Sequence, residues 1–219
     1  MSQVDRKGVR RKVVRTINVA SAAEAVGPIG HGMEVYGLSK GQFSLVELVE
    51  HVLAATGPAD VVLSTWTAAG ADLAHTRTLL DSGLIRSARW LVDFSFPARQ
   101  PAYCALLRER FGDDAVRCTA NHAKFVVVRN DEWSVVVRTS MNLNLNRRLE
   151  SYEISDDPRL ADWLLEIVDD AFGGGAASVS DAARSAGASA KTVQTLGGVV
   201  DRRAPEMDFD LSGKGVSYD

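Results

Sequence analysis

At 219 residues, 46% of them hydrophobic, the chain is long enough for one sizeable core with tails. No apolar run approaches the ~20 residues that cross a bilayer, no secretory signal opens the chain, and two cysteines set no disulfide framework. The net charge of −3 is unevenly spread, because residues 1–15 hold Arg6, Lys7, Arg10, Arg11, Lys12 and Arg15 against Asp5 alone.

Residues 1–32 therefore read as a basic, partly disordered arm, with a short strand near 13–19 and a charge that suits phosphate backbones. The folded core is expected from Met33, with a first strand over 34–38. Ser44 is placed to cap a helix, Glu47 stands three residues on in capping-box position, and Leu45, Leu48, Val49, Val52 and Leu53 follow at helical spacing. Thr56-Gly57-Pro58 stops that helix. Residues 60–66 read as a second strand, 68–82 as a second helix, 85–94 as a third strand and 97–111 as a third helix. A short strand near 115–118 precedes a hairpin with apolar strands over 125–128 and 135–137. A last helix runs over 158–172, with Leu160, Trp163, Leu164, Ile167 and Val168 on its inner face.

This alternation predicts an α/β fold built on a mixed, mostly parallel sheet flanked by helices. Ligands in such sheets sit beyond the carboxyl ends of the strands, which makes Ser64, Trp66, Asp93 and Ser95 candidates to line a site. Gly173-Gly174-Gly175 marks a boundary. Residues 173–198 then read as a small helical segment, either a helix-turn-helix or an Ala/Ser-rich hairpin serving as linker or dimer contact. Residues 199–219 are polar, Gly-rich and expected to be disordered.

The chemistry is expected between residues 121 and 153. His122 and Lys124 share one face of a strand start, roughly 7 Å apart along the chain. The hairpin then returns Ser140 and Asn142 to the same sheet edge. An imidazole, an ammonium, a hydroxyl and an amide gathered there suit a phosphate: one nucleophile, one fixed cation and neutral donors. Cys118 and His122 are half a zinc site at most, since no second pair exists, and neither a metal nor another cofactor is expected. Both cysteines are expected reduced, in a cytoplasmic protein.

His122-x-Lys124, an apolar strand, a hairpin, Ser140-x-Asn142 and the downstream Glu150 together resemble the signature of the phospholipase D superfamily. Two positions depart from it: Arg129 stands where the family usually has Asp, and Thr139 where it has Gly before Ser. The resemblance implies one α/β repeat over 33–172, with a single motif as in the small bacterial endonucleases of the superfamily. It further implies a metal-independent phosphodiester hydrolase acting on nucleic acid, DNA above all, through a phosphohistidine on His122 in a homodimeric site. Lys124 and Asn142 would hold non-bridging oxygens, Ser140 would assist or shape the turn, and Glu150 would fix the His122 tautomer. The alternative is a catalytically degenerate relative that binds DNA or a partner without cutting it. A third option is a lipid hydrolase, but nothing in the sequence resembles a membrane-docking amphipathic face. The style of the chain, including the TSMNLN segment over 139–144, also resembles proteins of phages and mobile elements.

Overall fold

The computed structural model describes residues 10–15, 19–144, 147–175 and 177–178. All described strands belong to one sheet in the order β1-β2-β8-β7-β6-β3-β4-β5-β9. These are β1 (Arg10–Arg15), β2 (Met33–Ser39), β3 (Ala59–Thr65), β4 (Ile85–Asp93), β5 (Val116–Thr119), β6 (Phe125–Arg129), β7 (Ser134–Thr139), β8 (Glu150–Asp156) and β9 (Ala177–Ser178). The helices are α1 (Ala22–Val26), α2 (Leu45–Thr56), α3 (Gly70–Asp81), α4 (Phe96–Arg99), α5 (Pro101–Phe111) and α6 (Pro158–Asp170).

The α/β class matches the sequence reading, but the sheet is not mostly parallel. Only β1 with β2, β3 with β4 and β4 with β5 pair in parallel. The crossover through α2 does return the chain in the same direction. However, β8, β7 and β6 enter antiparallel between β2 and β3 and keep those two strands from meeting. Sequence reasoning left strand β8 unassigned, and β9 falls within residues 173–198 read as helical, where it instead pairs with β5.

Apolar side chains of α1, α2, α3 and α5 cover one face of the sheet, joining Val35, Leu63, Trp90, Val126, Val137 and Ile154. Helix α6 covers Val62, Leu91, Phe125, Val127 and Val136 on the other. Its buried stripe is Ala161, Leu164 and Val168, whereas Trp163, expected inside, is 56% exposed. The α2 capping box forms as read: Ser44 Oγ accepts from Glu47 N at 3.2 Å and Glu47 Oε2 from Ser44 N at 2.6 Å.

The third predicted helix is two helices. Pro101 has no N–H to give and biases the residue before it away from helical angles; Gln100 lies at φ −140°, ψ 64°, and α4 ends there. The folded unit also begins before Met33. Strand β1 extends the sheet beside β2, and Ala22, Ala25 and Val26 of α1 are core residues. From residue 179 onward, the helical segment and the tail read from sequence lie outside the described residues, as do residues 1–9.

Candidate active site

Six of the described strands end, and three begin, at one edge of the sheet. The carboxyl ends of β1, β2, β3, β4, β5 and β7 point to it because these strands run one way, and the starts of β6, β8 and β9 lie there because they run the other. That arrangement places residues 121–124, 139–144 and 150 together, although they are well separated in the chain.

His122 and Lys124 precede the first ladder residue of β6 and are held by a buried asparagine that sequence reasoning missed. Asn121 Nδ2 donates to Ser64 Oγ at 2.9 Å and to Leu91 O at 3.1 Å, while its Oδ1 accepts from Ala123 N at 2.9 Å. Asp93 Oδ2 accepts from Asn121 N at 3.2 Å, and Ser64 Oγ donates to Ala123 O at 3.0 Å. Ser64 (1% exposed) and Asp93 (7% exposed) thus lie beneath the 121–124 loop, with Ser64 Oγ and Asp93 Oδ2 bonded to it and Asp93 Oδ1 bonded to Ser95, rather than lining an open site. A signal was present: an Asn directly before His-x-Lys is a residue type that tethers its own downstream backbone. Sequence alone did not reveal that it was buried.

His122 is exposed and Lys124 half-buried. Lys124 Nζ lies 3.4 Å from His122 Nδ1 and donates to His122 O at 3.0 Å. Partial burial pulls the Lys124 ammonium below its ordinary pKa, and the negative charge of Glu150 opposes that fall. Thr139 N donates to Lys124 O at 3.2 Å, which stitches the end of β7 to the His122 loop.

Ser140 and Glu150 form the second half of the cluster. Ser140 Oγ donates to a Glu150 carboxylate oxygen and accepts from Ser151 N at 2.9 Å. Thr139, where the resembled signature has Gly, donates its hydroxyl to Ser151 O at 2.7 Å and accepts from Met141 N at 2.9 Å. The chain then crosses to the end of β3, where Leu143 N donates to Thr67 O at 3.2 Å and Ala69 N to Leu143 O at 2.6 Å. Asn142, between these anchors, is half-buried and shares a small cavity with Glu150, Ser39 and Asn144. Its Oδ1 is buried and accepts no hydrogen bond, and among the described residues Asn142 bonds to neither His122 nor Lys124.

Trp66 stands directly after β3, its ring 5.7 Å from that of His122 and tilted by 56°. Ser95 is half-buried, with its backbone N–H and its hydroxyl both donating to Asp93 Oδ1. Arg129 is distant from all of this. It ends the five-residue strand β6, ~13 Å along the chain from Phe125, and pairs with Asp162 on α6. Cys104 and Cys118 are buried free thiols, and burial pushes both up, Cys104 to about 11. No group of three or more metal-ligating side chains occurs among the described residues.

No family model and no curated protein matches the chain. Among solved structures it is similar to Nuc from Salmonella typhimurium, described as a phospholipase D family member, at 17% identity over 66% of this chain and 96% of that one, with a TM-score of 0.46. It is also similar to NucT from Helicobacter pylori, at 12% identity over 66% of this chain and 99% of that one, with a TM-score of 0.48. A polyphosphate kinase from Porphyromonas gingivalis is similar at 12% identity over 64% of this chain and 26% of that one, with a TM-score of 0.49.

Proposed function

We propose that this chain is a phosphodiester hydrolase acting on nucleic acid, DNA in the first instance, with His122 as nucleophile in a site shared by two copies. The observation that carries this reading is the side-by-side placement of His122 and Lys124 at the sheet edge where Ser140 and Glu150 also meet. An exposed imidazole beside a partly desolvated ammonium is the pairing that attack on a phosphate needs.

In this reading a neutral His122 attacks phosphorus and forms a phosphohistidine. The protonated His122 of a second copy gives its proton to the leaving oxygen, then takes one from the water that hydrolyses the intermediate. Histidine as a residue type exchanges its proton near neutral pH, so it serves in either role. Lys124 meets the charge that grows on the non-bridging oxygens. Asn142 supplies a neutral donor, and Ser140 with Glu150 fixes the turn that presents it and keeps negative charge near Lys124. Twofold pairing follows from stoichiometry: one chain offers one His-x-Lys, and the reaction uses an acid and a nucleophile on opposite sides of phosphorus.

The test is cleavage of plasmid and labelled single-stranded DNA in the presence of EDTA. Cleavage in chelator that is lost in His122→Ala, with acid-labile phosphate on His122, is the expected result. Full activity in His122→Ala refutes the mechanism. Binding without cleavage favours the degenerate reading, for which Arg129 and Thr139 are the sequence grounds.

A further inference from the structure

We propose that Trp66 and Arg99 form a base-stacking platform beside His122, so that the site takes single-stranded nucleic acid; this rests on the phosphodiesterase reading above. The Arg99 guanidinium lies 3.7 Å over the Trp66 ring. It is fixed there by two further contacts, one N–H donating to Trp66 O at 2.9 Å and Nε to Ser95 Oγ at 2.9 Å. The sequence builds this perch deliberately short. Pro97 lies in the first turn of α4 and Pro101 begins α5, so α4 is a single turn that ends on Arg99.

Several other arginines have their charge met within the fold. Arg86, Arg129 and Arg138 each pair with a carboxylate, from Asp60, Asp162 and Glu153 respectively. Arg99 is exposed and, among the described residues, donates to a carbonyl and a hydroxyl and to no carboxylate, so its charge and its planar fork are available to a ligand. One carboxylate also ties this platform to the catalytic loop. Asp93 Oδ1 accepts from Ser95, which holds Arg99, while Asp93 Oδ2 accepts from Asn121 N, which sets the position of His122. The indole is in turn 5.7 Å from the His122 ring.

A guanidinium stacked on an indole is a surface on which nucleobases stack without sequence preference. It reaches a base only when that base is out of a duplex, because paired bases present their edges and not their faces. An unpaired base resting on Arg99 and Trp66 would bring its neighbouring phosphate toward His122 and Lys124, whose ammonium sits at the imidazole.

The experiment measures binding by fluorescence anisotropy, and cleavage, on the full chain with three DNA oligonucleotides. These are an intact single strand, the same strand with abasic sites, and the duplex. Wild type should bind and cleave the intact strand about tenfold better than the abasic one, the order expected for one stacked base. Arg99→Lys keeps the charge but loses the plane, and should bring that ratio close to one, as should Trp66→Leu. A ratio near one in wild type, a tenfold ratio that survives both variants, or a preference for duplex overturns the platform. Base-dependent binding without cleavage removes the phosphodiesterase reading and leaves the platform standing. Cleavage without base dependence does the reverse.

Discussion

Lys124 is under opposing influences. Partial burial disfavours its charged form, and Glu150, hydrogen-bonded to Ser140, favours it. If the protonated ammonium is the active form, activity falls as pH rises through the Lys124 pKa. Glu150→Gln removes the group that holds this pKa up, so the alkaline limb of the pH–rate profile should move to lower pH while the acid limb stays in place. An unmoved alkaline limb would mean that Glu150 acts on something other than Lys124. Asn121 makes a more direct prediction. Replacing it with Ala leaves Ser64 Oγ, Leu91 O and Ala123 N without their partner in a buried setting, and should cost about 2–3 kcal/mol in urea unfolding. The motif residues His122, Lys124, Ser140, Asn142 and Glu150 could be singled out in the sequence because together they resemble a family signature. Asn121 and Arg99 were not. One works from a buried position, the other through the face of a ring, and neither leaves a periodicity to read.

Among elements, most of the α/β alternation could be read because α2 and α3 stop at Gly57 and Gly83 and β3 and β4 carry apolar runs. Strand β8 escaped for a physical reason. In ESYEISD only Tyr152 and Ile154 are strongly apolar, and the intervening positions are polar because the sheet's other face here is partly open to water. Glu153 pairs across the ladder with Arg138, and its other neighbour in register, Tyr36, is 43% exposed. A strand in the middle of a sheet can therefore look like a loop when it borrows its apolar surroundings from β2 and β7. The joint between β2 and β8 is tight. Gly37 stands opposite Tyr152 in register, and a methyl group at Gly37 would overlap the Tyr152 ring. Tyr152 is fully buried and packs edge-on to Phe43, ring centres 5.7 Å apart, so it has little room to yield. Gly37→Ala should lower stability by about 2–3 kcal/mol in chemical denaturation. A neutral result would show that the ring moves freely.

For the whole molecule, the proposed paired site would make activity a function of protein concentration. Specific activity should fall on dilution through the dimer dissociation constant, in step with the mass seen by analytical ultracentrifugation. A monomer that retains full activity would dispose of the shared site while leaving the His122–Lys124 pairing intact. No described helix is long and apolar enough to cross a membrane.

The strand order has a consequence for how the chain is made. When β3, β4 and β5 have left the ribosome they can assemble with one another, and β1 with β2, but these two groups share no ladder. The strands that join them, β6, β7 and β8, come later in the chain, and His122, Lys124, Ser140, Asn142 and Glu150 lie on them or on the segments that lead into and between them. Until residue 156 emerges, the nascent chain is two half-sheets with bare edges, a state that folds slowly and is open to misassociation. Closing the seam also brings residues 121–124, 139–144 and 150 to one edge of the sheet.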